Sequence, residues 1–506
     1  MKPKIKPFVL IVLDGWGERL DKEFNGILEA STPVMDRLRA AYPHATLDAS
    51  QESVGLPAGQ MGNSEIGHMT IGAGRVIDTD LVKITKAIRS GEFSNNPQFA
   101  ALFDHVKKNN STLHTIGLLS PGGVHSHAQH LYAFLKAAKA AGLSRVAIHV
   151  ITDGRDVAPQ SAAGYLDDLE AVIKEIGIGF IATCSGRFYA MDRDKNWDRL
   201  KRAEDAIFFC TGNVCVRETP SAAVARLHKE GVFDEHLEPL VFLDENGKGS
   251  PIMANDGVFI YNYRADRVRM IASRLAEMSK KENICLVTMT EYDKTIDCRV
   301  AFPPNKVETT LAAEIANNGL TQAHIAETEK YAHATYFLNG GSETPHAGEE
   351  FVLVESRKDV QTYDLAPEMK AKEIADKAID RIEAGTDFIF INFANADMVG
   401  HTGVKDAIHI AVETVDRELG RVLDAALSRG GAAFVTSDHG NAEHYFDAAK
   451  NEMITSHTLN LVPAILTIAG AKLANGTLAD VAPTCLSVMG LPIPPSMTGH
   501  DLTKQV

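Results

Sequence analysis

A chain of 506 residues exceeds the roughly 250–300 residues at which single hydrophobic cores stop growing, so at least two domains are expected. Its 45% hydrophobic and 23% charged content is ordinary for a globular protein, and a net charge of −15 argues against a nucleic-acid binder or a protein held on anionic lipid. A small anionic substrate stays open, because a local arginine cluster can outweigh the global field. The six cysteines contain no CxxC pair and form no disulfide framework, which favours a reducing, cytoplasmic setting.

The opening MKPKIKPFVLIVLDGWG imitates a signal peptide, with lysines before an apolar run. That run, FVLIVL, is too short for a secretory signal or a bilayer span and ends at Asp14 without a small-residue cleavage site, so it reads as a buried first strand. Next, PAGQMGNSEIGHMTIGAG (57–74) sets five glycines around Ser64. A turn with a serine helix cap, a phosphate cradle of backbone amides and a nucleophile on a tight turn all fit it; alone, the stretch favours the cap. Further along, TIGLLS, RVAIHVITD, GFIATCSGR, ICLVTMTEYD, DFIFINFANAD, AAFVTSDHG and VPAILTIAG alternate with amphipathic stretches such as DAIHIAVETVDRELGRVLDAALSRGG. Such alternation predicts parallel sheets with helices on both faces, an α/β fold whose ligand crevice lies beyond the carboxyl ends of the strands.

The polar residues near these ends fall into two sets. Asp14, Ser64, Asp397, His401, Asp438, His439 and His457 lie near the N-terminus and in the last third; His125, Arg155, Asp156, Arg187, Arg193, Arg264 and Arg267 occupy the middle. A domain built from both chain ends (1–77 and 309–506) with a second one inserted (78–308) is expected, crossing at RVIDTDLV (75–82) and FPPNKVETT (302–310). In the first set, Asp397 and His401 are one helical turn apart and can face one ion, whereas Asp438 and His439 are adjacent at a strand end and can serve two. Each residue alone is more often a cap or a satisfied polar group; four such features together make that reading weak. Mixed imidazole and carboxylate ligands suit Mn, Zn, Co or Fe(II), and two ions roughly 3.5–4 Å apart form a clamp suited to phosphoryl chemistry. Lewis acidity that lowers the pKa of bound water from about 15.7 to about 7 also suits activation of the Ser64 hydroxyl. His68, four residues on, reads as structural. In the second set, guanidinium forks match carboxylate and phosphate, against the simpler reading of surface ion pairs with nearby aspartates. Arg264 and Arg267 would share a face if helical.

The ordered segments LDGWG, GNSEIGH, GGVHSH, TDGRD, GRFYAMDRD, NYRADR, AETEKYAH, DMVGHTG and SDHGNAE span nearly the whole chain. Together they closely resemble the cofactor-independent (2,3-bisphosphoglycerate-independent) phosphoglycerate mutases of the alkaline phosphatase superfamily. The departures, Ser456 in TSHT and Ile66 in GNSEIGH, remove no ligand. The resemblance implies an alkaline-phosphatase-like metal domain with an inserted α/β phosphotransferase domain. It implies two Mn²⁺ (Co²⁺, Zn²⁺ or Mg²⁺ as substitutes), one held by Asp14, Ser64, Asp438 and His439 and the other by Asp397, His401 and His457. It also implies Ser64 as the phosphorylated nucleophile, and His125, Arg155, Asp156, Arg187, Arg193, Arg264, Arg267 and Lys330 as substrate ligands. The expected reaction interconverts 3-phosphoglycerate and 2-phosphoglycerate, with Asp156 as acid and then base. The expected protein is a cytoplasmic monomer with no nucleic-acid or membrane partner. Two rivals are a metal-dependent phosphatase, which shares the metal set without needing the arginines, and a non-catalytic phosphometabolite-binding protein.

Overall fold

The computed structural model describes residues 4–215, 218–243, 247–305 and 307–504. Lys306, in the second expected crossing, lies outside them. The chain divides into two compact units: a discontinuous one, Met1–Thr79 with Asn305–Val506, and an inserted one, Asp80–Pro304. Among the described residues no helix is long and apolar enough to cross a membrane.

In the discontinuous unit the strand Phe8–Leu13 is buried throughout and lies between Phe388–Phe393 and Ala432–Thr436, parallel to both. FVLIVL is apolar at every position because its alternate side chains enter different cores. Val9, Ile11 and Leu13 join one, under the helices Ala371–Glu383 and Lys405–Ser428; Phe8, Leu10 and Val12 join the other, with the helices Leu311–Asn317 and Val481–Met489. Gln322–Glu327 and Glu349–Val354 continue the parallel order beyond Phe388–Phe393. On the other side the parallel order ends: Val462–Leu466 runs antiparallel to Ala432–Thr436 and to His44–Asp48. The reversal has a consequence for the site. The loop that precedes this strand arrives at the edge where the parallel strands end, and that loop carries His457.

The inserted unit has its own eight-stranded sheet, centred on Gly257–Ile260, Leu113–Leu118, Val146–Thr152 and Phe180–Gly186, which are mutually parallel. Leu240–Phe242 is antiparallel to Phe180–Gly186. A buried polar chain crosses three strands: Asp256 meets His114 Nε2 at 3.1 Å, His114 Nδ1 meets His149 Nε2 at 3.0 Å, and His149 Nδ1 meets Thr183 Oγ1 at 3.0 Å. Each member is satisfied with both rings neutral, which is how such groups persist in a core.

Glu327 closes the strand Gln322–Glu327 and introduces the short helix Thr328–Ala332. Its carboxylate accepts from the Lys370 amide at 2.9 Å and from Ser356 Oγ at 3.0 Å, and burial pushes its pKa up to about 7. A carboxyl whose folded pKa is raised favours folding while protonated, and that contribution is lost as pH climbs through the folded value. Glu327→Gln, which keeps the shape without the charge, should therefore gain stability relative to the parent as pH rises from 5 to 8. By the magnitude of the shift the difference should be about 1–3 kcal/mol. Urea unfolding of both proteins across that range checks it; a pH-independent difference would contradict it.

Candidate metal and anion sites

Ser64 does not cap its helix. Asn63 does, accepting from the Ile66 amide, and Ser64 is the first residue of the helix Ser64–Ala73. Its hydroxyl is thereby free to face the strand ends. Oγ lies 2.7 Å from Lys330 Nζ, 3.0 Å from His439 Nε2 and 3.4 Å from Asp14 Oδ1. Gly67 serves packing. A Cβ on Gly67 would stand 2.8 Å from the Asp438 carbonyl oxygen, so the bare backbone lets the helix press on that loop.

Asp14 follows the first strand, and Asp397 sits on the short helix Asn395–Gly400 that follows Phe388–Phe393. Asp438 and His439 come just after Ala432–Thr436. Two groups of side chains offer ligand atoms within 4.8 Å of one another: Asp14, Asp438 and His439, and Asp397, His439 and His457. His439 belongs to both, and Asp438 shares the first group with it, its Oδ2 3.5 Å from His439 Nε2, where strand-end adjacency had suggested an ion for each. His401 joins through the helical turn read from the sequence, its Nε2 3.3 Å from Asp397 Oδ1 and 3.2 Å from His457 Nε2. The seven residues of the first set therefore come together.

Their chemistry fits cations. His401 Nδ1 faces the Thr455 carbonyl at 2.6 Å and His457 Nδ1 faces the Gly62 carbonyl at 2.7 Å. Each contact puts a proton on Nδ1 and turns both Nε2 atoms toward Asp397 Oδ1, at 3.3 and 3.2 Å. A cation would take both lone pairs; without one, both Nε2 atoms can donate to Asp397, whose carboxylate raises the pKa of each ring, against burial at His457. Charge agrees. Three buried carboxylates (Asp14, Asp397 and Asp438) surround one ammonium, that of Lys330. Nζ of Lys330 lies 2.7 Å from Asp14 Oδ1 and 2.6 Å from Asp397 Oδ2. Burial works against this ammonium, but the carboxylates prevail and its pKa is raised. Burial and then the Asp438 charge push the Asp14 carboxyl up, whereas Asp397, despite burial, is held well below the usual range chiefly by Lys330.

The resemblance implied a substrate role for Lys330; its ammonium lies in the carboxylate cluster of the discontinuous unit, 2.7 Å from Ser64 Oγ. Sequence reasoning missed Asn392 and Asn441. Asn392 Nδ2 donates to Asp14 Oδ2 at 2.8 Å and approaches His68 Nε2 at 3.0 Å; Asn441 Nδ2 donates to Asp397 Oδ1 at 3.0 Å. A lone asparagine inside FIFINF was the available signal for the first. His68 is structural in a specific sense: its Nδ1 lies 2.9 Å from the Ser64 carbonyl oxygen and 3.3 Å from Asp438 Oδ2.

In the inserted unit the second set, apart from Lys330, also gathers at strand ends. Arg187, buried, donates to Asp153 Oδ1 at 2.5 Å and Asp156 Oδ2 at 2.7 Å, and its Nη2 faces His125 Nε2 at 3.0 Å. Arg264 and Arg193 both approach Asp266, at 3.1 and 3.7 Å, and Arg155 approaches Glu235 at 3.4 Å. Arg267 has its pKa lowered by burial and then by the charges of Arg187, Arg193 and Arg155, so these guanidiniums share one neighbourhood. Asp153 and Asp266 were not singled out from sequence. Arg264 and Arg267 share no helix face, because the next helix starts at Arg269.

The metalloenzyme superfamily sequence pattern matches residues 6–493. A Clostridium tetani protein described as a 2,3-bisphosphoglycerate-independent phosphoglycerate mutase is 45% identical over 511 residues, covering 99% of both chains. One of the same description from Symbiobacterium thermophilum is 48% identical over 510 residues, covering 98% of both. A solved Leishmania mexicana phosphoglycerate mutase, crystallised at low cobalt concentration, is 31% identical with a TM-score of 0.58 and 99% coverage of each chain.

Two predictions follow from the geometry. Removing a buried ammonium leaves its carboxylates unpaired, which costs about 3–5 kcal/mol. Lys330→Met should lose that stability in ion-free buffer and recover much of it with saturating divalent cation, because the added charge replaces the ammonium. Equal losses with and without cation in denaturant titrations would contradict this. Because a guanidinium only donates, His125 Nε2 must accept, and burial followed by Arg187 lowers the His125 pKa to about 4. Nitrogen-15 NMR should show a neutral Nδ1–H ring down to that pH and a higher pKa in Arg187→Met; an unshifted pKa in the variant would contradict it.

Proposed function

The chain belongs to the metalloenzyme superfamily and, within it, to the 2,3-bisphosphoglycerate-independent phosphoglycerate mutases, and from that membership we propose that it interconverts 3-phosphoglycerate and 2-phosphoglycerate through a phosphorylated Ser64. It is an enzyme of the isomerase class, an intramolecular phosphotransferase serving glycolysis and gluconeogenesis in the cytoplasm. It works as a monomer on a small phosphorylated acid, with no nucleic-acid or membrane partner. The observation that carries the reading is the Ser64 hydroxyl, freed from capping and set within 3.4 Å of Lys330, His439 and Asp14.

Asp14, Ser64, Asp438 and His439 would hold one divalent ion, and Asp397, His401 and His457 a second, with Mn²⁺ the favoured metal. Ions there would supply Lewis acidity to the serine hydroxyl and to the phosphoryl oxygens. Ser64, whose hydroxyl proton would leave to solvent as the ions bind, takes the phosphoryl group in line on Oγ as the bond to the glycerate oxygen breaks, at the start of a helix whose dipole favours an anion. Lys330 Nζ, 2.7 Å from that oxygen, offsets charge developing on it. Arg187, Arg193, Arg264 and Arg267, with Arg155 and His125, retain the glycerate and its carboxylate. Asp156, held 2.7 Å from Arg187 Nη1, protonates the departing glycerate oxygen. After reorientation it takes the proton from the other hydroxyl, which attacks phospho-Ser64. The neutral His125 ring presents an acceptor on Nε2 and a donor on Nδ1.

An enolase-coupled assay on 3-phosphoglycerate, with Mn²⁺ and no bisphosphoglycerate, should show turnover that chelation abolishes. Ser64→Ala should fold, keep much of its ion binding and lose kcat by on the order of 10⁴-fold or more. Release of inorganic phosphate without isomerisation would replace the reading with a phosphatase, and label from the substrate found on histidine would exclude a serine carrier.

A further inference from the structure

One buried carboxylate has no part in the chemistry above. Glu443 is fully buried, and all four of its donors are uncharged. Oε2 accepts from the Gly17 amide at 3.1 Å and the Asn441 amide at 2.8 Å. Oε1 accepts from the Thr458 hydroxyl and from Asn460 Nδ2, the latter at 2.9 Å. These donors stand on three separate loops: the one after Asp14, the one carrying Asp438 and His439, and the one carrying His457. The chain makes room for the carboxylate. A Cβ on Gly17 or on Gly440 would overlap the Glu443 carboxylate.

The loops of Asp14 and Asp438 are also joined directly, the Asn441 and Ala442 amides donating to the Gly15 carbonyl and the Trp16 amide to Ser437 Oγ, all at 3.0 Å; the loop of His457 meets them through two isolated bridges. Gly440 and Thr458 form an isolated antiparallel bridge, and Glu18 and Leu461 form another. The loop with His457 precedes an antiparallel strand, so the parallel ladder does not fix its position. We propose that Glu443 is a positioning residue: its two oxygens lock the loop of His457 to the loops of Asp14, Asp438 and His439, and so set the spacing between the two ion sites. The inference rests on those residues being the ion holders named above. A carboxylate suits the task, since all four partners donate and an ionised acid only accepts. Outer-shell partners of this kind typically change metal affinity 10–100-fold when removed.

The two oxygens can be tested apart. Thr458→Val removes one donor to Oε1 at nearly constant volume and leaves the Oε2 contacts intact. Apo protein is titrated with Mn²⁺ alone, following free Mn²⁺ by electron paramagnetic resonance and heat by calorimetry. Thr458→Val should weaken one of two Mn²⁺ sites about 10–100-fold and leave the other as in the parent. Its turnover should fall at limiting Mn²⁺ and return toward the parent kcat at saturation. Glu443→Gln, which turns one acceptor into a donor, should weaken both sites. Two Mn²⁺ bound with parental affinity in both variants, even with a lowered melting temperature, would reduce Glu443 to a structural residue and overturn the proposal. If the parent binds two Mn²⁺ and the variants weaken as stated, but no isomerisation is seen, the mutase reading fails and this inference stands. A parent that binds no divalent ion would overturn both.

Discussion

Everything in the discontinuous unit is arranged around a charge problem. Three carboxylates, Asp14, Asp397 and Asp438, are buried beside one ammonium and one serine hydroxyl. Unpaired anions in a core are prohibitive, and Lys330 alone does not balance three. Three imidazoles, of His401, His439 and His457, turn nitrogen atoms toward the same space. Such a cluster is stable when cations fill it, and a hydroxyl held there sits where charge can build up on its oxygen. The serine is thus ordinary in its local chemistry; its surroundings make it unusual.

The fold solves this by collecting strand ends. Parallel strands from both ends of the chain deliver Asp14, Asp397, Asp438 and His439 to one edge, and a reversed strand brings His457 to the same edge. The inserted unit repeats the device with different residues, bringing arginines and aspartates to the carboxyl ends of its own parallel strands. Arg187 is the pivot there, since it contacts Asp153, Asp156 and His125 at once. A phosphotransfer that keeps its acceptor needs both kinds of site: one that stabilises a transferring phosphoryl group, and one that retains a small acid while it turns.

Much of this was legible in the sequence because strand ends are marked chemically. An apolar run that stops at Asp, Ser or His is a visible signal, and it located Asp14, Asp438 and His439. Helical spacing likewise paired Asp397 with His401. What stayed hidden depends on tertiary contacts. The place of Lys330 among the carboxylates is one case, since the partners that define it lie 316 and 67 residues away. The reversed direction of Val462–Leu466 left no trace in its composition, since a buried strand is apolar whichever way it runs. The role of Asn63 in place of Ser64 as the helix cap could not be decided locally, because both residue types cap well. Ion pairing of the arginines and their gathering into one cluster were weighed as alternatives, and the structure contains both.

The most direct test asks whether the phosphoryl group returns to the acid it left. Substrate labelled in both its phosphoryl and glycerate parts is mixed with excess unlabelled substrate, and product is collected from early turnover. A serine carrier with a retained glycerate predicts that the two labels stay together in the product. Free scrambling of the two labels among product molecules would contradict the account, even with Ser64 phosphorylated.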